Sequence, residues 1–330
     1  MNDRPLDVLA IGNAIVDVIA DADDAFLSAQ GLDKGSMRLI DEGEAMRLYD
    51  EMGPGREVSG GSAGNTAAGL AAFGLKAGFI GQVADDELGD IYRHDISATG
   101  VSFTTPARGD VGASARCLIL VTPDAQRTMN TFLGAAQRLP AAAIRAEEVA
   151  SAKILYLEGY LWDPEEPRAA MEAAIEAARA SGTKVAFTLS DSFCISRHHG
   201  DFVRLIDDGR IDILFANEDE ILALSGKDEF EAAVAAVAPR VPVLVVTRSE
   251  KGAIAVAGDE RAEVGAEPIE RLVDTTGAGD LFAAGFLAGQ ARGKSLADSL
   301  KLGAIAAAEV IQHYGARPEA DLKLLAGALL

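Results

Sequence analysis

Short apolar, β-branched runs separated by longer Ala-rich stretches recur along this 330-residue chain, and that alternation constrains its fold more than any other feature. A strand, a helix that carries the chain back, and another strand beside the first build a parallel sheet. Candidate strands are Val8–Ile11, Gly78–Val83, Ile154–Tyr160, Lys184–Leu189, Ile211–Phe215, Val243–Thr247 and Ala253–Ala257. Candidate helices are Asn65–Phe73, Glu87–Ser97, Glu166–Ala180, Phe202–Asp208, Glu218–Leu224, Glu229–Ala238, Ala278–Ala291 and Ser295–Gln312. Most of the strands are apolar throughout rather than at every second residue, as required when helices cover both faces. The expected class is α/β, a mainly parallel central sheet between two helical layers.

Two regions break the rhythm. Val16–Met37 is a mixed segment rich in Asp and Ala. Ala115–Phe132 reads as a hairpin, with Arg116–Val121 and Arg127–Phe132 flanking a Thr-Pro-Asp-Ala turn at Thr122–Ala125. Both suit a small β-sheet lid, with insertions over about 14–57 and 108–135, on a single domain spanning 1–330. No internal repeat or linker divides the chain.

Composition removes several functions. With 30 Lys+Arg against 51 Asp+Glu, a formal charge of −21 and no basic cluster, a nucleic-acid surface is excluded. No uncharged apolar run reaches the about 18 residues of a membrane span, and Met1–Pro5 is too polar for a secretory signal. Two cysteines, Cys117 and Cys194, build no disulfide framework, so a reducing, cytoplasmic setting is expected. Cys117 reads as buried filler, His198 and His199 as surface or helix-start residues, and Asp21–Asp24 as a solvated face.

Where charge is missing is more telling. Ser59–Leu75 holds no ionisable residue, and Thr275–Ala291 holds only Asp280, in a chain that is 25% charged. In the second segment, Gly277 and Gly279 allow a sharp turn and close approach to the backbone. Leu281–Ala291 is apolar nearly all round, hence a buried helix. Its first amides lack internal partners and favour an anion. Asp280 beside them could take a proton from a hydroxyl next to a bound phosphate, the pairing that phosphoryl transfer to an alcohol needs. A turn followed by a helix cap would explain the same residues. There is no P-loop and no Gly-x-Gly-x-x-Gly dinucleotide pattern. In the first segment, Gly60-Gly61-Ser62-Ala63-Gly64-Asn65 suits a sugar, whose hydroxyls want backbone and amide partners; close helix packing accounts for the glycines but not for Asn65.

Together these segments resemble the PfkB, or ribokinase-like, family of carbohydrate and nucleoside kinases over essentially the whole chain. Gly60–Asn65, followed by Gly81-Gln-Val-Ala-Asp-Asp86-Glu-Leu-Gly89, is similar to the family's N-terminal signature. Asp274-Thr-Thr-Gly-Ala-Gly-Asp280 is similar to the C-terminal one, and Asn217-Glu-Asp-Glu220 to its Asn-x-x-Glu element. Within the family, Gly12-Asn13-Ala-Ile-Val-Asp17, Thr188–Ser196 and Asp212–Glu218 are most similar to the adenosine kinase group.

The resemblance implies a three-layer α/β/α sandwich with a small β lid and ATP-dependent phosphorylation of a sugar CH₂OH. It implies Asp280 as the general base and the amides of Gly277, Ala278 and Gly279 as the anion hole. Asp17 would bind two ribose hydroxyls, completed by Asn13, Gly60, Gly61 and Asn65, while Met129, Thr131, Phe132 and Leu133 would cover a base. Asn217 and Glu220 would orient water on Mg²⁺. Thr247, Ser249, Gly252 and the lid residue Arg127 would face ATP. Asp274 and Thr276 match positions that bind a monovalent cation such as K⁺ in some relatives. Ser249 departs from the glycine usual at its place. A sugar kinase of the same family, or a nucleoside-binding protein without catalysis, is the competing expectation, and the protein is expected as a monomer or homodimer with small-molecule partners.

Overall fold

The apolar run Leu6–Ile11 forms β1, and its residues divide between two buried layers: Val8 and Ala10 on one face, Leu9 and Ile11 on the other. A strand buried on both sides must lie inside a sandwich. The computed structural model describes residues 4–124 and 126–330, so Met1–Asp3 and Ala125, the last residue of the expected turn, lie outside the described residues.

After β1 the chain runs through β2 (Ile15–Asp21), α1 (Asp24–Ala29), β3 (Met37–Leu39), α2 (Glu42–Glu51) and β4 (Arg56–Gly60). It returns by α3 (Ser62–Ala72), β5 (Ala77–Ile80), α4 (Glu87–Ala98) and β6 (Ser102–Phe103), then leaves again for β7 (Ala115–Val121) and β8 (Arg127–Phe132). Strand and helix then alternate: α5 (Ala146–Ala150), β9 (Ala152–Glu158), α6 (Glu165–Ser181), β10 (Lys184–Thr188), α7 (Ser192–Asp207) and β11 (Ile213–Asn217). The remainder is α8 (Glu218–Ser225), α9 (Phe230–Val237), β12 (Val243–Thr247), β13 (Ala253–Ala257), β14 (Glu260–Val264), α10 (Ala278–Ala291), α11 (Leu296–Val310) and α12 (Leu322–Ala326).

The main sheet has nine strands in the order β14-β13-β12-β11-β10-β9-β1-β5-β6, parallel from β12 to β6 with an antiparallel edge at β13 and β14. One face is covered by α3, α4, α10 and α11, the other by α6 to α9. The chain order reverses between β1 and β9, and in open α/β sheets ligands bind beyond the carboxyl ends of strands at such a switch point. Gly12 and Asn13 leave β1 there, and Glu158 ends β9 there.

A second, five-stranded sheet in the order β3-β8-β7-β2-β4 stands beside the first. Arg116–Val121 pairs antiparallel with Arg127–Phe132 as the hairpin reading requires. Alternation sorts its two faces. Val16, Val18, Ala20, Leu118 and Leu120 are buried with Leu27 of α1 and Leu48 of α2. Asp17, Cys117, Thr131 and Leu39 form a cross-strand row on the other face, with Ile19, Ile119, Met129 and Met37 as the next.

Among the elements that differ from the sequence reading, two have a clear local cause. Ser192–His199, expected as loop, is the first half of α7, started by Asp191, whose carboxylate accepts the Cys194 amide at 2.6 Å. The poor helix formers in Ser-Phe-Cys-Ile hid it, and a kink at His198 marks where they meet the better half. His198 and His199 lie at this kink, bonded to Asp163 and to the Leu224 carbonyl. The strand β14, Glu-Arg-Ala-Glu-Val, carries too much charge to read as core and is an exposed edge. No described helix is long and apolar enough to cross a membrane.

Candidate active site

The loop into α10 turns at Gly277, whose φ of 78° suits glycine, and a Cβ there would lie 2.5 Å from the Cβ of Ala316. The amides of Gly277, Gly279 and Asp280 find no partner among the described residues, whereas the Ala278 amide bonds the Thr275 carbonyl at 3.2 Å. In the set of free donors the Asp280 amide therefore takes the place expected for that of Ala278, and the space beside Gly279 is open. Helix-start dipoles and unpaired amides converge on that opening.

Asp280 projects from the first turn of α10. Ser62 donates to its Oδ1 at 2.6 Å and Asn65 to its Oδ2 at 3.0 Å, both from the start of α3. No arginine is bonded to it among the described residues. Burial pushes its pKa above the ordinary carboxylate value, opposed by these two hydrogen bonds and by the charge of Arg317. The other side-chain atom of Asn65, Oδ1, is buried without a partner. An orphaned buried acceptor beside Asp280 is a ready seat for a hydroxyl.

Across from Asp280 lies Asp17 on β2. Its carboxylate takes no hydrogen bond among the described residues, and burial raises its pKa to about 7 against the pull of Arg317 and Arg127. Gly60 makes room for it, since a Cβ there would stand 2.3 Å from Asp17 Oδ2. Asn13 is buried and fixed by a carboxylate that sequence reasoning missed. Glu158, fully buried, accepts the Asn13 amide and side-chain Nδ2 on Oε1, both at 2.8 Å, and the Ala63 amide on Oε2 at 2.7 Å. Burial pushes Glu158 up to about 7. One residue thus ties the end of β1 to the start of α3. A Glu closing an apolar strand was its only sequence signal.

On the lid, Met129 and Thr131 share the Asp17 face, but Phe132 pairs with Arg116 on the opposite face and Leu133 follows the strand end. Alternation along β8 separates residues that adjacency in sequence had grouped. Cys117 is buried as expected, with its thiol raised to about 12 by burial, yet it faces the site and accepts from Thr131 at 3.2 Å.

Arg127 reaches from β8 to the anion-hole loop. It pairs with Asp274 at 2.5 Å, both side chains being almost fully buried, and donates to Thr276 Oγ1 at 3.2 Å. Its Nε and Nη2 are buried without partners. Asp274 is otherwise surrounded by donors: Oδ1 accepts the Thr276 amide and hydroxyl, and Oδ2 accepts the Gly315 amide at 3.1 Å.

The nucleotide-side residues line the carboxyl ends of neighbouring strands, Asn217 standing opposite Thr247. Asn217 caps α8 and forms a reciprocal box with Glu220, the side chains exchanging bonds with each other's amides at 2.8 and 3.0 Å. Glu220 is buried, and burial raises it to about 7. Ser249 adopts a φ of 49° and Gly252 one of 86°, so the serine holds a glycine-like conformation. Among the described residues no group of three or more His, Cys, Asp or Glu could hold a metal by itself.

Arg317 also escaped the sequence reading. It donates Nε to the Ser59 carbonyl at 3.0 Å, Nη1 to the Gly64 carbonyl at 2.8 Å and Nη2 to Ser59 Oγ at 2.9 Å. A single Arg in a tail segment carries no pattern from which that position could be deduced.

The model of the pfkB family of carbohydrate kinases matches residues 41–322. The structure is similar to adenosine kinase from Sinorhizobium meliloti, with 48% identity, a TM-score of 0.90 and coverage of 98% of each chain. It is similar in the same degree to a probable sugar kinase from Rhizobium etli, at 47% identity, TM-score 0.92, and coverage of 99% of this chain and 100% of that one. Adenosine kinase of Saccharomyces cerevisiae is 28% identical over 331 residues, covering 93% of this chain and 95% of that protein.

Proposed function

The chain belongs to the pfkB family of carbohydrate kinases, and from that premise we propose that it transfers the γ-phosphoryl group of ATP to the 5′-hydroxyl of a ribonucleoside, with adenosine as substrate and AMP as product. The observation that carries this reading is Asp280: a base held by Ser62 and Asn65, beside unpaired amides and opposite a second carboxylate free to bind hydroxyls. Asp17 takes two adjacent ribose hydroxyls, a bidentate task suited to a carboxylate. Asn65 Oδ1 accepts from the sugar, and Asn13, fixed by Glu158, completes the ribose seat.

Asp280 removes the proton as the hydroxyl attacks in line, and the amides of Gly277, Gly279 and Asp280 receive the charge on the transferring group. Arg127 brings two unpartnered nitrogens, Nε and Nη2, from the lid to the loop that forms that hole. Closure of the lid keeps water from competing for the phosphoryl group. Mg²⁺ bound with ATP would neutralise phosphate charge while keeping several waters, which the remaining lone pairs of Asn217 and Glu220 would orient.

The lid favours a nucleoside over a free sugar. Beyond Asp17 the site face carries Ile19, Ile119 and Met129, with Asp21, Arg56 and Arg127 towards its far end, and Met37 and Leu39 at its edge are 65% and 69% exposed. A nucleobase would cover that strip; a lone sugar would leave it in water. The likeness to the S. meliloti adenosine kinase is matched by that to the R. etli sugar kinase, so the choice rests on the lid. The test is ADP release with ATP and a panel of nucleosides and free sugars. Adenosine is expected to give the highest kcat/KM. Selective turnover of a free sugar, or tight adenosine binding without ADP, would overturn the reading.

We infer that no monovalent cation is required. Among the described residues Asp274 meets N–H and O–H donors and a guanidinium, a set that fills the place where a cation would need oxygen ligands. Initial rates are expected to be equal in KCl and in tetramethylammonium chloride at matched ionic strength. Activation specific to K⁺ would contradict this.

A further inference from the structure

The segment Gly315–Arg317, between α11 and α12, touches three parts of the site at once. The Gly315 amide bonds Asp274, Ala316 packs against Gly277 of the anion hole, and Arg317 reaches the junction of lid and body. That junction is Gly60-Gly61, with Ser59 at the end of the lid strand β4 and Gly64 in the first turn of α3. Arg317 donates to carbonyls on both sides of it. Ser59 is held in turn by Asp95, which accepts its amide at 2.7 Å and its hydroxyl at 2.6 Å.

Every hydrogen bond of this mostly buried guanidinium goes to a carbonyl or a hydroxyl. Among the described residues no carboxylate lies within ion-pair distance of it. A charge removed from water without a bonded counter-ion is costly unless opposite charge lies nearby. The two substrate-facing carboxylates, Asp17 and Asp280, are in the complementary condition, since neither has a bonded cation.

We propose that Arg317 is a positioning residue: it clamps the lid–body junction and serves as the shared counter-charge that keeps Asp17 and Asp280 ionised in the closed site. The inference rests on the kinase reading above. The groups facing this cluster are Asp17 on β2, Cys117 on β7, Arg127 on β8, Tyr92 and Asp95 on α4, Tyr156 and Glu158 on β9, Tyr160 just after it, and Asp274 and Asp280 around the start of α10. Arg317 lowers the carboxyl pKa of both Asp17 and Asp280 against the burial that raises them. Arg127 does so for Asp17, but its bonded partner is Asp274.

The test compares Arg317→Gln, which keeps donors but removes charge, with Arg317→Lys, which keeps charge but loses the planar fork. The readouts are the pH profile of kcat/KM with adenosine and ATP, and the pH dependence of adenosine binding by calorimetry without ATP. In Arg317→Gln the acid limb of both is expected to move to higher pH by about one unit, the scale of a lost neighbouring charge. In Arg317→Lys the limb stays and only KM rises. A limb in Arg317→Gln superposable on wild type would overturn the proposal. A wild-type protein that forms no ADP would sink the kinase reading instead, and the calorimetric arm would still judge Arg317. Should Arg317→Gln fail to fold, thermal melting of Arg317→Gln/Asp17→Asn decides: recovered folding supports charge pairing, and continued loss refutes it.

Discussion

Asp280→Asn is expected to lower kcat by about 10²–10⁴-fold, the range a positioned general base contributes, while adenosine affinity changes little. The amide matches the carboxylate in shape and still accepts from Ser62, so the N-terminal turn of α10 and its free amides survive. It cannot accept the proton of the attacking hydroxyl. The ribose stays bound because Asp17, on another strand and in another sheet, carries that task. The wild-type pH profile supplies an independent check. Burial raises the pKa of Asp280, and a base acts only when deprotonated, so kcat/KM should fall as pH drops through a value above the ordinary 3.8. In Asp280→Asn that limb should vanish from kcat. ADP release followed by a coupled assay measures both, and a variant with near-normal turnover would remove Asp280 from the chemistry.

Glu158→Leu is expected to destabilise the protein by on the order of 3–5 kcal/mol. It leaves the Asn13 amide, the Asn13 side chain and the Ala63 amide buried without acceptors, and each orphaned donor costs about 1–3 kcal/mol. Against a typical domain stability of about 5–15 kcal/mol, that loss shows directly in a denaturant midpoint. Glu158→Gln should lie between wild type and Leu, because one of its two terminal atoms becomes a donor facing a donor. In both variants KM for nucleoside should rise more than kcat falls, since Asn13 is loosened and Asp280 is untouched. The pH sign also follows. Glu158 is raised from 4.5 to about 7 in the folded state, so between those values the native protein holds more protons than the unfolded chain. Its contribution to stability therefore declines as pH rises through that window, and Glu158→Gln should flatten the decline. An unchanged midpoint for Glu158→Leu would mean the three donors find other partners.

Much of the framework was legible before any coordinates. β12, β13 and α10 lie where the apolar runs predicted, because a buried strand or helix must be apolar along its length. The pairing of Asp280 with Asn65 could be anticipated only as two motifs with one purpose. The hydrogen bond between them joins residues 215 apart in sequence. Phe132 was misplaced because adjacency in sequence is not adjacency on a sheet face.

Local sequence determined which segments became strands, helices and sharp turns, since periodicity, capping and glycine act over a few residues. It also marked the charge-free stretches where a backbone could meet an anion. Only the tertiary structure decided how charge is shared in the site. Glu158 fastens Asn13, Arg127 occupies Asp274, and Arg317 straddles the junction beneath the lid. Buried ionic groups are governed by whatever the fold brings within a few ångströms, and distance along the chain carries no record of that.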